Sequence, residues 1–189
     1  MTTTVGLVCK DGIVLATDHR ATMGHLISDT DTKKVYQIDD FIGMTIAGSV
    51  GDAQKLVKIL SIESHLYKIQ REESITIKGA TNLLANILNN NRLNPYSIQF
   101  IIGGMDKNGI HLYSLDALGG YLERKDFTST GSGSPMAYSI LESEYHADIT
   151  LEKAIDLAIQ AISIAQKRDS ASGNGFEVVI INKDGYRKV

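Results

Sequence analysis

Tight-turn signals between short apolar segments are the feature that most constrains the fold of this chain. The segments Thr4 to Cys9 and Gly12 to Thr17 are apolar and β-branched, and Lys10-Asp11-Gly12 joins them. Asp-Gly between two such segments is typical of a β-hairpin. Because a hairpin connects antiparallel neighbours, the pattern predicts sheets that are mainly antiparallel.

Further segments of the same kind follow along the chain. We predict strands at Lys34–Ile38, Phe41–Ala47, Ser97–Gly103, Ile110–Leu115, Gly120–Arg124, Phe127–Ser129 and Glu177–Asn182. Several are separated by short turns that contain Asp, Asn or Gly, which again favours antiparallel pairing.

Two pairs of helices separate the groups of strands. The helices are predicted at Val50–Arg71 with Ser49 as N-cap, at Ile77–Asn90, from Ser134-Pro135 onward with Ser134 as N-cap, and at Leu151–Lys167 with Thr150 as N-cap. In the first helix the apolar residues near helical spacing are Leu56, Ile59, Leu60, Ile62, Leu66 and Ile69. This order predicts an α+β fold in which two stacked sheets carry helices on their outer faces. Without a linker or repeat, we expect one domain over residues 1–189.

Composition excludes several classes of function. The 189 residues are 43% hydrophobic and 22% charged, as in an ordinary folded protein, and the net charge of −3 leaves no basic excess for nucleic acid. No apolar segment is long enough to span a bilayer and no secretory signal opens the chain, so we expect a cytoplasmic protein without membrane contact. One cysteine, Cys9, and five scattered histidines form no metal-binding motif, so we expect neither metal nor cofactor.

The opening Met1-Thr2 carries the first chemical suggestion. Methionine before a small residue is readily removed, which would expose Thr2 with both a hydroxyl and a free α-amine. An α-amine has an ordinary pKa of about 7.7–8, so one residue can supply a nucleophile and its base. By itself the signal is weak, because many inert N-termini begin in the same way.

A resemblance gives that suggestion its weight. The segments that carry it are Thr2-Thr3-Thr4-Val5-Gly6, Ala16-Thr17-Asp18-His19-Arg20, Lys33-Lys34, Gly43-Met44-Thr45-Ile46-Ala47-Gly48, Gly51-Asp52-Ala53, Ser129-Thr130-Gly131-Ser132-Gly133-Ser134-Pro135 and Arg168-Asp169-Ser170-Ala171-Ser172-Gly173. Together they resemble the β subunits of the 20S proteasome, most closely the archaeal type. The resemblance implies the four-layer αββα sandwich of the N-terminal-nucleophile (Ntn) hydrolases. It also implies a threonine endopeptidase that cleaves unfolded proteins through an acyl-enzyme on Thr2.

The same resemblance assigns catalytic roles. Thr2 would be the nucleophile, Lys34 the cation beside its hydroxyl, and Asp18 the partner that holds Lys34. The residues that would surround the terminal amine are Ser132, Asp169 and Ser172. Gly48 has a separate physical argument: it precedes the predicted N-cap of a long helix, where backbone N–H groups favour negative charge, so it is the candidate oxyanion donor.

Substrate-binding residues follow from the same match. Thr22, Gly48 and Val50 match positions that bind the substrate backbone as an added strand. The specificity pocket is predicted to contain Ala21, Ile46 and Val50, with Thr32 and Gln54 near its wall. No charge lies among these side chains, so we expect cleavage after large hydrophobic residues.

The resemblance also implies partners. The expected assembly is a stack of heptameric rings, with β rings inside, α subunits outside and an unfoldase ATPase that feeds the chamber. Three alternatives remain at this point: a hexameric bacterial two-component threonine peptidase, a catalytically silent structural β subunit, and an Ntn amidase that acts on small molecules. The segment Arg168–Gly173 and the chain length favour the proteasome over the bacterial peptidase.

Overall fold

A computed structural model describes residues 2–189. Its helices are α1 (Val50–Arg71), α2 (Ile77–Asn90), α3 (Ser134–Glu144) and α4 (Leu151–Arg168). Its strands are β1 (Thr4–Cys9), β2 (Gly12–Asp18), β3 (Ala21–Met23), β4 (Leu26–Asp29), β5 (Val35–Asp39), β6 (Ile42–Gly48), β7 (Ile98–Asp106), β8 (Gly109–Leu115), β9 (Tyr121–Arg124), β10 (Phe127–Thr130), β11 (Phe176–Asn182) and β12 (Gly185–Lys188).

The strands form two five-stranded sheets. Sheet one has the order β10-β1-β2-β11-β12, and sheet two has the order β5-β6-β7-β8-β9. Every neighbouring pair is antiparallel, which confirms the prediction from the hairpin signals. A separate two-stranded hairpin, β3–β4, connects sheet one to sheet two.

Two apolar layers place the helices on the outside. On sheet one, α3 and α4 bury Ala137, Leu141 and Ile162 against strand residues such as Val5 and Leu7. On sheet two, α1 and α2 bury a second cluster that includes Leu56, Leu60, Leu84, Met44 and Phe100. The architecture is therefore the expected α+β sandwich with αββα layers.

A third apolar layer lies between the two sheets. Its buried members are Ile13, Leu15, Val35, Ile101, Leu112, Val179 and Ile181. Glycines allow these faces to approach: a Cβ on Gly6 would lie 2.9 Å from Ile101 Cγ2, and a Cβ on Gly43 would lie 2.7 Å from Ile181 Cδ1. Each glycine belongs to one sheet and each isoleucine to the other, so the sheets interlock in a single register.

Helix α1 has the predicted bounds but a narrower buried face. Ile62, Leu66 and Ile69, which recur near helical spacing with Leu56 and Leu60, are exposed. The stripe that packs on sheet two consists of Ala53, Leu56, Val57, Leu60 and Ser64. These recur at spacings of three and four, whereas Ile62, Leu66 and Ile69 form a second stripe rotated away from the sheet.

Three other local predictions need correction. Ser134 is the first residue of α3 and not its cap; the cap position is Gly133, which offers no side-chain hydrogen bond. The hairpin β3–β4 was not predicted, because its residues are largely exposed and do not alternate. Strand β12, which pairs with β11 after the turn at Lys183-Asp184, was also missed. By contrast, Thr150 caps α4 as predicted.

Within residues 2–189, no helix is both long and apolar enough to cross a membrane. The same residues contain no group of three His, Cys, Asp or Glu side chains arranged as metal ligands.

Candidate active site

The ends of four strands converge at one edge of the sandwich. Asp18 ends β2, and Thr2 lies two residues before β1, so both belong to sheet one. Lys34 directly precedes β5, and Gly48 ends β6, so both belong to sheet two. The candidate site therefore requires both sheets.

Three polar side chains contact one another in the interior of this site. Lys34 donates to the Thr2 hydroxyl, and the Thr2 hydroxyl in turn donates to Asp18 Oδ1. Lys34 Nζ also donates to Asp18 Oδ1 over 2.7 Å and to the carbonyl oxygen of Arg20 over 2.6 Å. Only 2% of Thr2, 0% of Asp18 and 4% of Lys34 is exposed. Sequence reasoning did not include the Arg20 carbonyl, since a backbone acceptor leaves no signature in side-chain type.

Burial and charge act on Lys34 in opposite directions. Removal from water is the larger effect and lowers the pKa of the Lys34 ammonium, whereas the adjacent Asp18 carboxylate raises it. The carboxylate itself is held by the backbone: Oδ1 accepts from Thr3 N over 3.1 Å, and Oδ2 accepts from Arg20 N over 3.1 Å and from Gly173 N over 2.9 Å. An ionised Asp18 is thus hydrogen-bonded on both oxygens, which offsets part of the cost of burying it.

A second network of polar side chains contacts Thr2 and Thr3. Asp169 Oδ2 accepts from Ser132 Oγ over 2.7 Å and from Ser172 Oγ over 2.6 Å. Ser132 Oγ also donates to the carbonyl oxygen of Thr2 over 3.4 Å, and Ser172 Oγ lies 2.7 Å from Thr3 Oγ1. The structure therefore brings the six predicted catalytic residues into two adjoining networks that meet at Thr2 and Thr3.

The turn at Gly131 packs directly against Thr2. Gly131 has φ +92°, and a Cβ at this position would lie 2.1 Å from the Thr2 carbonyl oxygen, so only glycine fits. Gln99, on β7 of sheet two, accepts the Gly131 N–H over 3.2 Å with its side-chain oxygen. Gln99 thereby ties the turn that carries Ser132 to the opposite sheet. Sequence reasoning missed it, because the two residues are 32 positions apart.

Gly48 has the geometry of a backbone donor at a helix start. Its φ is +136°, and a Cβ would lie 2.1 Å from Ser97 O, which leaves room for no other residue. Ser49 N donates to Ser97 O, and Ile46 N donates to Lys34 O. N–H groups along a strand point alternately to its two edges. The N–H of Gly48 is therefore on the same edge of β6 as that of Ile46, which is the edge that faces β5. It therefore points to the side of β6 on which Lys34 lies, next to the positive end of α1.

A cavity of about 340 Å³ opens beside Thr2. Its lining contains Thr2, Arg20, Ala21, Thr22, Met23, Ser28, Thr32, Lys34, Ile46, Gly48, Ser49 and Val50. The predicted residues Ala21, Thr22, Thr32, Ile46 and Val50 all belong to it. Gln54 does not: it is exposed on α1 and is not part of this lining.

Two lining residues were not predicted. Met23 and Ser28 come from the β3–β4 hairpin, which sequence reasoning did not find. The predicted removal of Met1 concerns a residue that lies outside the described part of the chain.

Comparison with known proteins decides the family. A family model described as "Proteasome subunit" matches residues 1–181. The chain belongs to the proteasome subunit family. The proteasome family has the Ntn-hydrolase fold, in agreement with the αββα layers described above.

Proteasome β subunits of archaea are similar to the chain over its whole length. The chain is 59% identical over 188 residues to proteasome subunit beta of Methanococcoides burtonii, an alignment that covers 100% of this chain and 90% of the relative. It is 57% identical over 188 residues to proteasome subunit beta of Methanosarcina thermophila, with the same shares covered. It is 54% identical over 185 residues to that of Archaeoglobus profundus, covering 98% and 86%. This similarity favours the proteasome over the bacterial two-component peptidase.

Proposed function

We propose that this proteolytic β subunit of the 20S core is a threonine endopeptidase whose nucleophile is the hydroxyl of Thr2. The observation that carries the proposal is the buried contact of Thr2 Oγ with both Lys34 Nζ and Asp18 Oδ1. A hydroxyl held between a cation and a carboxylate is arranged to lose its proton, because the cation stabilises the alkoxide that results.

The first half of the reaction forms an ester. Once Met1 is removed, the free α-amine of Thr2 takes the hydroxyl proton, and Oγ attacks the carbonyl carbon of the scissile peptide bond. The negative charge that develops on the carbonyl oxygen is stabilised by the N–H of Gly48 and by the start of α1. The C–N bond then breaks, the leaving amine receives the proton from the Thr2 amine, and the acyl group remains on Oγ.

The second half of the reaction frees the enzyme. A water molecule gives a proton to the Thr2 amine and attacks the ester carbon, the bond to Oγ breaks, and Oγ regains its proton. Ser132, Asp169 and Ser172 hold the first residues in place through the Thr2 carbonyl and the Thr3 hydroxyl. In the proposed mechanism their oxygens also orient the terminal amine and relay its protons.

Pocket chemistry supports a preference for hydrophobic residues before the cleaved bond. Ala21, Ile46 and Val50 supply apolar surface to the 340 Å³ cavity, and Thr22, Gly48 and Val50 supply backbone for an added substrate strand. The cavity does contain Arg20 and Lys34, but both side chains are engaged: Arg20 donates to Asn174 and to the Ser170 carbonyl, and Lys34 to Asp18. A basic side chain would meet no free anion there and would be repelled.

Assembly completes the proposed function. The subunit forms proteasome core rings with other subunits. We further propose that these are heptameric β rings stacked between rings of α subunits in the cytoplasm, fed with unfolded proteins by an ATPase, and that residues 1–189 form one domain. Confinement of the sites in a chamber would restrict a protease of broad preference to unfolded chains.

The decisive experiment labels the nucleophile. The chain is co-expressed with an α subunit, and its intact mass is measured before and after treatment with a peptide epoxyketone, which reacts with a hydroxyl and a free amine on one residue. We expect loss of Met1 and a single adduct on the Thr2 peptide. Thr2→Ala should give no adduct. Thr4→Ala is the matched control and should be labelled normally, because Thr4 bonds only Thr130 with its hydroxyl.

Two results would contradict the proposal. An assembled particle that has lost Met1 but takes no adduct would identify a silent structural subunit. Rings of six subunits by electron microscopy would favour the bacterial two-component peptidase. If Met1 is retained, a cleavable leader placed before Thr2 exposes the amine, and the labelling is repeated on that protein.

A further inference from the structure

A second cavity lies between the free edges of the two sheets. Strand β10 is the outer strand of sheet one and β9 is the outer strand of sheet two. Between them is a space of about 450 Å³ whose lining includes Ser114, Asp116, Arg124, Thr128, Thr130 and Tyr138. None of the lining residues is Thr2, Asp18 or Lys34, so this cavity is separate from the candidate active site.

The register of β9 directs one cation into this space. Arg124 lies opposite Leu112 of β8, and Leu112 belongs to the apolar layer between the sheets. Cross-strand neighbours share a face of the sheet, so the Arg124 side chain lies on the inner face. Glu123 lies opposite Tyr113, which packs in the outer layer under α1 and α2, so its carboxylate is on the other face.

One nitrogen of the partly exposed Arg124 side chain is buried without a partner. Among residues 2–189, its Nε is shielded from solvent and has no hydrogen-bond partner. The acid next to it on β9 is already engaged: Glu123 pairs with His111 over 2.9 Å and with Lys125 over 2.8 Å. Asp116 Oδ1 accepts the N–H groups of Leu118 and Gly120 over 2.8 and 2.9 Å. A buried N–H donor without a partner is unfavourable unless a group in the cavity accepts its hydrogen bond.

Hydroxyl groups also line the cavity between β9 and β10. The Tyr138 oxygen accepts the N–H of Ser129 over 3.1 Å and lies 3.2 Å from Thr128 Oγ1, so one of these two hydroxyls can donate to the other or to a group in the cavity. A guanidinium presents a planar fork of N–H donors, which matches the geometry of carboxylate and phosphate oxygens. Hydroxyls beside it can donate to the remaining oxygens of such a group.

We propose that the cavity between β9 and β10 binds an oxyanion of the carboxylate or phosphate type, held by Arg124 and by the hydroxyl groups of Thr128 and Tyr138. Thr2, Asp18 and Lys34 do not line the site, and Gln99, which lines it, also accepts the N–H of Gly131 beside Thr2. The anion that suits it is compact, because the cavity is bounded by both sheets.

Binding is tested by thermal unfolding of the full chain. The probes are inorganic phosphate and acetate, each titrated at constant ionic strength with chloride as the balancing anion and at one protein concentration. At an anion concentration five times Kd, linkage predicts a rise in Tm of about 2–4 °C for a chain of this length. We expect a saturable rise in the wild type that is lost in Arg124→Gln.

The matched control is the adjacent lysine. The Lys125 side chain is 79% exposed and pairs only with Glu123, so Lys125→Gln removes the same charge without touching the cavity and should keep the saturable response. Arg124→Lys keeps the charge but loses the fork, so its apparent Kd should rise at least threefold. This variant also serves if Arg124→Gln does not fold.

The outcomes separate the two anion sources. A response to phosphate alone assigns the site to free phosphate-type ions, and a response to acetate assigns it to carboxylates such as those of acidic side chains. Either one supports the proposal if it depends on Arg124. A response that is equal in the wild type, Arg124→Gln and Arg124→Lys, or that does not saturate for either anion, would overturn it.

Discussion

Lys34 Nζ lies 2.7 Å from Asp18 Oδ1 in a part of the protein where both side chains are almost completely removed from water. The pair is asymmetric. Asp18 accepts backbone N–H groups from both sheet one and the segment at Gly173, whereas the charge of Lys34 depends on Asp18. A change at Asp18 should therefore act on the reaction through the protonation of Lys34.

Asp18→Asn is predicted to reduce both stability and activity. The substitution keeps the shape but leaves the Lys34 ammonium buried without a counter-charge, which should cost about 3–5 kcal/mol in the free energy of unfolding. With less positive charge beside the Thr2 hydroxyl, kcat/KM should fall about 100-fold. Peptide hydrolysis and urea unfolding of the same preparation would measure the two effects. Unchanged activity would exclude a role for the pair in catalysis.

The activity should depend on pH in two steps. It should rise as the Thr2 amine becomes neutral, near its ordinary pKa of about 7.7–8. It should fall again as Lys34 loses its proton, and because burial lowers that pKa, the decline should begin below 10.5. In Asp18→Asn the decline should move to lower pH, since the charge that opposes the burial effect is gone. In Lys34→Arg the residual activity should lack the alkaline decline. A pH profile of kcat/KM for the three proteins provides the measurement.

The same pKa shift has a consequence for stability. At pH values below the folded pKa of Lys34, both the folded and the unfolded chain carry its proton. Between the lowered folded pKa and 10.5, the unfolded chain binds the proton and the folded chain does not, so this group makes the free energy of unfolding rise with pH in that window. Urea unfolding across the alkaline range should show this slope in the wild type and a smaller one in Lys34→Met. Equal slopes would contradict the assignment.

Gly131→Ala should abolish activity by displacing Thr2. The new Cβ would lie 2.1 Å from the Thr2 carbonyl oxygen at a positive φ, at an expected cost of about 2–4 kcal/mol. Gly24→Ala is the matched control: φ there is +61°, but nothing lies within 4 Å of its Cβ, so it should cost about 1 kcal/mol and leave kcat unchanged. Circular dichroism melting and epoxyketone labelling of both variants would separate the steric effect from simple backbone strain.

Gln99→Leu should reduce kcat with little effect on KM. The variant removes the acceptor for the Gly131 N–H. If the turn is held less well, the activation free energy should rise by about 1 kcal/mol, which corresponds to about a fivefold lower rate. Gln99→Glu keeps the accepting oxygen and should recover most of the rate. Steady-state kinetics of the two variants would provide the comparison, and an identical loss in both would indicate that the hydrogen bond does not position the turn.

Ala21→Phe should narrow the pocket beside Thr2. Ala21 lies on β3 and lines the 340 Å³ cavity, so a phenyl ring there would occupy the space of a large substrate side chain. Cleavage after Tyr or Leu should fall about tenfold relative to cleavage after Ala. A panel of fluorogenic peptides would measure this ratio, and faster cleavage after Arg than after Leu in the wild type would refute the proposed pocket.

The elements that sequence could predict are those with a strong periodic pattern. Strands β1 and β2 are continuous apolar segments joined by an Asp-Gly turn, and the bounds of α1 and α2 agree with the structure residue for residue. The β3–β4 hairpin escaped prediction because Met23, Leu26 and Ile27 are exposed and follow no alternation. In α1 the second apolar stripe at Ile62 and Leu66 was merged with the first, because periodicity alone does not say which stripe meets the sheet.

The candidate site divides in the same way. Thr2, Asp18 and Lys34 were proposed from a resemblance, and the structure brings them into contact, although their roles remain predictions. The contribution of the Arg20 carbonyl and the link from Gln99 to Gly131 could not be predicted, since neither depends on a local pattern. Gln54 was assigned to the pocket wall by the same resemblance, but it is exposed on α1 and does not line the cavity.

The contacts of glycines with isoleucines between the sheets determine when, during folding, the residues of the candidate active site come together. Thr2 and Asp18 belong to sheet one, whereas Lys34 and Gly48 belong to sheet two. The relative position of the two sheets is fixed by the contacts of Gly6 with Ile101 and of Gly43 with Ile181. A chain in which both sheets had formed but not yet packed together would have the proposed nucleophile without its proposed cation. On the proposed mechanism, a newly made chain therefore gains its peptidase chemistry only when the two sheets have packed together.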